Sequence, residues 1–255
     1  MDALLQISEV RATFGGLHAL DGATFNVSRG KTTGLIGPNG AGKTTLFNAI
    51  TGLLPEASGR VVFDGTDISG RRPERISTSG LVRTFQLARG CPRLTVFEHL
   101  MLYGPKQRGE GFLAGLVGGA AVRHQEEVLR ERAWAMARRL RLDHVLDNLV
   151  TALSGGQKKL LEIGRALLAE PKMILLDEPM AGVNPTLVGE IADQLEVVRS
   201  EGITILLIEH EMALIKRLCE EVIVMAEGKY LTHGTFDGVT SDSRVQSSYL
   251  GRSRA

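Results

Sequence analysis

Nine consecutive residues carry the types needed to hold a polyphosphate: Gly37, Pro38, Asn39, Gly40, Ala41, Gly42, Lys43, Thr44 and Thr45. They fit G-x-x-x-x-G-K-[ST], the phosphate-binding loop or Walker A pattern. A loop that wraps a triphosphate must aim successive backbone N–H groups inward, and glycine lets the backbone turn and approach closely. Thr44 to Ile50 places Leu46, Phe47, Ala49 and Ile50 in a helical pattern. The loop therefore opens a helix, whose N-terminus favours an anion. Lys43 can reach the β- and γ-phosphates, and the Thr44 hydroxyl can hold Mg²⁺. The plainer reading is a Gly-rich turn before a helix. Against it, residues 31–36 read as a strand, which supplies the strand–loop–helix context.

A second chemical pair follows the apolar run Lys172 to Asp177. Asp177 and Glu178 stand at the carboxyl end of that strand, where open α/β sheets bind ligands. Asp177 would hold Mg²⁺, directly or through water, and Glu178 would polarise an attacking water. The alternative is a helix cap or turn acid. A third stretch, Leu153-Ser154-Gly155-Gly156-Gln157, opens another helix twenty-three residues before Asp177 counted from Ser154. Its hydroxyl and free N–H groups make either a second anion site or a simple N-cap.

The elements that must position these groups follow from hydrophobic period. Residues 4–10 and 23–28 alternate as two antiparallel strands, with Arg11 to Gly16 between them. Further strands are predicted at 31–36, 59–65, 81–86, 172–177, 203–208 and 222–226. Helices are predicted at 71–79, 96–103, 125–142, 155–169, 186–200 and 211–220. Residues 87–152 show no strand pattern, and 104–122 read as Gly-rich and irregular. The long helix places Leu129, Ala133, Met136 and Leu140 on one face. Strands alternating with helices indicate a mostly parallel sheet covered on both faces. The expected class is α/β: a P-loop NTPase (RecA-like) core with an N-terminal antiparallel part and an inserted α-helical subdomain. The core spans 1–86 and 153–240. The helical subdomain spans 87–152 and continues into a helix at 153–169. A polar tail from Thr240, assigned as 241–255, is expected to be partly loose.

Composition narrows the class further. The chain has 255 residues with 30 Lys+Arg against 29 Asp+Glu, a balance that argues against a general nucleic-acid-binding surface. Cys91 and Cys219 are far apart and have no metal-ligand spacing. Met1-Asp2 is not the basic start of a signal peptide. The most apolar stretch, 112–122, is too short and too rich in glycine to span a bilayer. The chain is expected to be soluble by itself.

Taken in order, these motifs resemble the ATP-binding subunits of ABC transporters over nearly the whole chain. Leu153 to Gln157 is similar to that family's signature motif, Gln86 to its Q-loop and His210 to its switch histidine. Phe14 occupies the place of the aromatic that stacks on adenine, and Met180 to Pro185 the place of the D-loop. The resemblance implies ATP and Mg²⁺ as ligands, with Gln86 touching Mg²⁺ or the water and His210 contacting the γ-phosphate. It implies integral-membrane permease partners and, indirectly, a solute-binding protein. It also implies a second ATP-binding subunit, identical or closely related, set head-to-tail so that each Ser154 segment covers the other chain's loop. The place would be the cytoplasmic face of the cell membrane, and no nucleic acid is expected as partner. Asn184 departs from the Asp commonest in the D-loop, which keeps a hydrogen bond and removes a charge. Arg83-Thr84-Phe85-Gln86, Leu94 to Leu100, Ala181 to Pro185, the long 104–124 insertion and Tyr249-Leu250-Gly251 are similar to the branched-chain-amino-acid uptake subfamily. ATPases of urea uptake and lipopolysaccharide export are similar too. The remaining rivals are a soluble ABC-type ATPase acting on ribosomes or DNA, and a nucleotide-binding regulator that hydrolyses nothing.

Overall fold

The computed structural model describes residues 2–84, 91–104 and 120–250. Gln86, most of the predicted irregular stretch 104–122 and the last five residues lie outside the described residues. The chain divides into two compact units. One comprises Met1–Arg83, Lys172–Pro179 and Ala192–Ala255; the other comprises Thr84–Pro171 and Met180–Ile191.

The first unit holds two sheets. Strands β1 (Ala3–Phe14), β2 (Leu17–Ser28), β4 (Ser58–Phe63) and β5 (Thr66–Asp67) form an antiparallel sheet in the order β2-β1-β4-β5. The larger sheet runs β10-β9-β3-β8-β7-β6. Its strands are β3 (Thr32–Ile36), β6 (Leu81–Arg83), β7 (Met173–Asp177), β8 (Thr204–Ile208), β9 (Glu221–Ala226) and β10 (Lys229–Gly234). All neighbours pair in parallel except β9 with β10. The expected α/β architecture with an antiparallel N-terminal part is present.

Burial explains this arrangement. Strands β7 and β8 are continuous apolar runs because both faces are covered. Alternate residues Leu35, Met173, Leu175, Leu206, Ile208, Ile223 and Met225 join one core with Leu5, Ile7, Leu20 and Phe63 of the antiparallel sheet. Leu46, Phe47 and Ile50 of helix Lys43–Ile50 belong to the same core. Each such fully buried side chain contributes about 1.5–3 kcal/mol relative to exposure. The helix that follows the phosphate loop is thereby fixed by the core of both sheets.

In the second unit, helix Val96–Met101 carries a capping box between Thr95 and Glu98. Helix Ala120–Arg139 buries Leu129 and Ala133 of the predicted face, and Leu140 is buried just beyond its end; Met136 is only half-buried, and Ala137 is buried in addition. Helix Gly155–Leu168 buries Leu160, Ile163 and Leu167. A β-carbon on Gly164 would meet Leu140 Cδ1 at 2.5 Å, so glycine permits the close approach of Leu140.

Several boundaries differ from the sequence reading. Arg11–Phe14 and Leu17–Gly22 are strand, not connection, and only Gly15-Gly16 turns the hairpin. The strand expected to reach Gln86 ends at Arg83, and Thr84 is not strand. The long helix begins at Ala120 rather than Gln125, where alanines favour helix, and ends at Arg139 rather than Leu142. β10 and helix Phe236–Thr240 are additions to the predicted elements. The polar tail folds over Ser243–Leu250 as a helix that buries Val245.

Candidate functional site

The phosphate loop starts where β3 ends. Gly37, Gly40 and Gly42 all have positive φ, the region glycine enters without steric cost. A turn closes through Ala41 N–H donating to Pro38 O at 3.1 Å, and Gly228 N–H donates to Ala41 O at 3.1 Å from the β9–β10 turn. A β-carbon on Gly42 would lie 2.5 Å from Ala19 O of β2. The loop is therefore held from both sheets. Helix Lys43–Ile50 has no side-chain cap, which leaves its first N–H groups free for an anion.

Lys43 is nearly buried, and its Nζ donates to Gly37 O at 2.7 Å and Pro38 O at 3.2 Å. Burial pushes the ammonium below its usual range, while Glu178 and Asp177 pull it back up. An ammonium held by loop carbonyls beside an uncapped helix end suits a phosphate.

Asp177 ends β7 and Glu178 follows it. Glu178 has φ of 49°, a left-handed conformation that costs a non-glycine residue roughly 1–3 kcal/mol and clusters at working sites. Its N–H still donates to Ile208 O at 3.0 Å, so the turn is anchored to β8. His210 lies two residues beyond β8, and its Nε2 is 2.9 Å from Glu178 Oε1. With the carboxylate ionised, Nε2 carries the shared proton. Both side chains stay partly exposed, open to water.

The structure thus brings Lys43, Thr44, Asp177, Glu178 and His210 to the carboxyl ends of β3, β7 and β8, which are adjacent in the order β3-β8-β7. Thr44 is exposed and Asp177 supplies a carboxylate. Among the described residues no three His, Cys, Asp or Glu gather as a metal cluster. This hydroxyl-and-carboxylate donor set fits Mg²⁺, which keeps waters and phosphate oxygens rather than an all-protein cage.

Phe14 ends β1 beside the Gly15-Gly16 turn and is 45% exposed, so it is not core. Phe14→Ala is expected to weaken ATP binding by about 1 kcal/mol, the worth of one aromatic stacking interaction, and to leave thermal stability nearly unchanged. Fluorescent-nucleotide titration beside a melting curve checks this. A large drop in stability with native affinity would remove Phe14 from the site.

Ser154 lies in the second unit. Its hydroxyl accepts from Gln157 N–H at 3.3 Å, and Gln157 Oε1 accepts from Ser154 N–H at 3.0 Å. The N-cap reading is therefore realised in full as a capping box. Ser154 and Gly155 remain exposed, so the cap leaves that end open to a ligand. Gly156 is buried, and a β-carbon there would meet Leu187 Cδ1 at 2.4 Å, so glycine permits the close approach of Leu187. Asn184 Oδ1 accepts from Thr186 N–H at 2.9 Å, which gives the amide a local role at the start of helix Pro185–Ser200.

Two residues near the acids have no role assigned by sequence. Arg83 bonds Asp177, and Asn48 bonds Arg83. Arg83 is visible in the sequence only as one letter of the Arg83-Thr84-Phe85-Gln86 run, and nothing local links it to either partner.

The ABC transporter family matches residues 20–181. A probable branched-chain amino acid transport ATP-binding protein of Archaeoglobus fulgidus is 36% identical over 248 residues, covering 97% of this chain and 95% of the relative. Its counterpart from Methanocaldococcus jannaschii is 38% identical over 252 residues, with 97% of each chain covered. A high-affinity branched-chain amino acid transport ATP-binding protein of Pseudomonas aeruginosa, BraF, is 34% identical over 249 residues, covering 97% of this chain and 98% of BraF. Among solved structures, a nucleotide-free ATP-binding cassette from an ABC transporter superposes with a TM-score of 0.85 at 37% identity, covering 98% of this chain and all of that one. An ABC transporter cassette in its ADP conformation superposes with a TM-score of 0.84 at 37% identity, covering 99% of this chain and 100% of that one.

Proposed function

We propose, from the premise that this chain belongs to the ABC transporter family, that it powers the uptake of branched-chain amino acids. The chain is an ATP-binding and ATP-hydrolysing subunit of an ABC transporter. The observation that carries the chemistry is the Glu178–His210 contact of 2.9 Å at the strand ends beside the buried Lys43. The amino-acid substrate is supported by the names of relatives matched over nearly their whole length.

ATP enters as substrate. The loop Gly37–Thr45 and Lys43 bind its phosphates, and Phe14 stacks on the base. Mg²⁺, when bound, would be held by Thr44 and Asp177, with Gln86 near it or the water, and would offset charge on the phosphates. Glu178 accepts a proton from the attacking water, and His210 orients the water and contacts the γ-phosphate. Negative charge develops on the transferring phosphoryl oxygens, and Lys43 with the loop N–H groups stabilises it. Ser154, Gly155, Gly156 and Gln157 contact the ATP held by a second, head-to-tail subunit, identical or closely related. The helical section 87–152 and its continuation through 153–169 dock on the permease subunits at the cytoplasmic face of the membrane. No helix among the described residues is long and apolar enough to cross a membrane itself.

Uptake of radiolabelled leucine, isoleucine and valine, with urea as control, tests the substrate in a host from which the gene is deleted. Loss of branched-chain uptake, restored by the native gene and not by Glu178→Gln, is the expected result. Unchanged amino-acid uptake with loss of another transport activity would overturn the substrate while leaving the ATPase assignment intact.

A further inference from the structure

We propose that Arg83 is a positioning residue for the metal side of the site, fixing the Asp177 carboxylate and the phosphate-loop helix in register. The proposal rests on the reading of Asp177 and Thr44 as oxygen donors to Mg²⁺.

Arg83 closes β6, the strand beside β7. Its side chain is 8% exposed, and the guanidinium reaches two elements. Nη2 donates to Asp177 Oδ2 at 2.8 Å, and Nη1 donates to Asn48 Oδ1 at 2.6 Å. The guanidinium carbon lies 5.5 Å from the centroid of the Phe47 ring. Asn48 stands four residues after Thr44, one turn along the same face of the same helix. One side chain is thus bonded to Asp177 itself and to the helix face that presents Thr44.

The planar fork explains why arginine fits here. It makes two directed bonds at a fixed angle, whereas an ammonium acts as a point charge and cannot hold both acceptors in one plane. A carboxylate on a short side chain at a strand end could rotate between rotamers. A bond to Oδ2 fixes one rotamer and presents Oδ1 along a single direction. Partners that orient a metal ligand typically change metal affinity by about 10–100-fold when removed.

The test uses the full chain saturated with a non-hydrolysable ATP analogue, titrated with Mn²⁺ and followed by the electron paramagnetic resonance signal of the free ion. Nucleotide binding in chelator gives the metal-free control. Arg83→Met is expected to weaken Mn²⁺ binding about tenfold and to leave metal-free nucleotide affinity within about twofold. Asn48→Ala, which leaves the Arg83–Asp177 pair intact, is expected to fall between. Arg83→Met added to Asp177→Asn should cause no further loss, because the ligand that Arg83 positions is gone. If Arg83→Met does not fold, Arg83→Lys carries the test. The lysine keeps the charge and loses the fork, so its Mn²⁺ affinity should also fall. Unchanged or tighter Mn²⁺ binding in the Arg83 variants, with Asp177→Asn clearly weakened, overturns the positioning role and leaves the site reading standing. Native Mn²⁺ affinity in Asp177→Asn would instead remove Asp177 from the metal site.

Discussion

Glu178→Gln is expected to bind ATP normally and to hydrolyse it about 10²–10⁴-fold more slowly, the span attributed to a positioned general base. Two roles for Glu178 fit its contact with His210, and their magnitudes separate them. If the carboxylate only holds the imidazole, glutamine still offers an oxygen at the same place. The loss is then that of a charge-assisted bond becoming a neutral one, about 1 kcal/mol or roughly fivefold in rate. If the carboxylate takes a proton from water, the amide cannot replace it and the full loss appears. The backbone supplies no confounding change, since glutamine keeps the shape and length that occupy the φ of 49° at this position. Phosphate release at saturating Mg²⁺ and ATP measures the rate, and equilibrium binding of a fluorescent analogue measures affinity. Turnover within tenfold of native would leave His210 orientation as the only role for Glu178.

The chemistry of this site is legible in the sequence because it needs particular residue types at fixed intervals. A phosphate loop is contiguous, so Gly37 to Thr45 can be read whole. Asp177 and Glu178 are legible from an apolar run ending in two acids, which marks the exit of a covered strand. Arg83 and Asn48 carry no such signal. Their partners are brought together by the neighbouring of β6 and β7 and by the helix packed beneath. That meeting is a property of the fold, not of spacing. The conformation of Glu178 is equally silent, since any residue type can precede a turn.

The fold shows the same division. Strands β7, β8 and β9 announce themselves as short apolar runs. The first hairpin reads too short because its pairing register shifts between Ile7 and Val10 and again near Arg11 and Thr13. Each shift breaks the period of two: Leu5 and Ile7 are buried in one phase and Val10 and Ala12 in the other, so no single alternation runs through the strand. β10 sits at the sheet edge with half-exposed Tyr230, Leu231 and Thr232, and its polar sequence resembles a turn. Helix Ser243–Leu250 is polar apart from Val245, Tyr249 and Leu250, too few apolar positions for a period to be read.

Gly37→Ala is the second large effect, and it separates steric demand from conformational freedom. An alanine β-carbon at Gly37 would lie 2.1 Å from Met225 O and 3.2 Å from Ala41 Cβ. Neither neighbour is the end of a flexible side chain. Met225 belongs to β9, and the preceding Val224 pairs with Ile36 of β3 in the parallel ladder. Relief to an ordinary carbon–oxygen contact requires β3 and β9 to part by about an ångström at the root of the loop, an overpacking that costs about 3 kcal/mol. For a chain of this size that lowers the melting temperature by roughly 6–12 °C. The same shift displaces the loop N–H groups, so ATP affinity should fall with stability. Gly16→Ala is the control: Gly16 also has positive φ, at 87°, and nothing lies within 4 Å of a β-carbon there. It should cost only the backbone term of about 1–2 kcal/mol and leave the loop untouched. Melting curves and nucleotide titrations on both variants decide the matter. If Gly37→Ala melts no lower than Gly16→Ala and binds ATP as the native chain does, the contact with Met225 does not hold the loop in place.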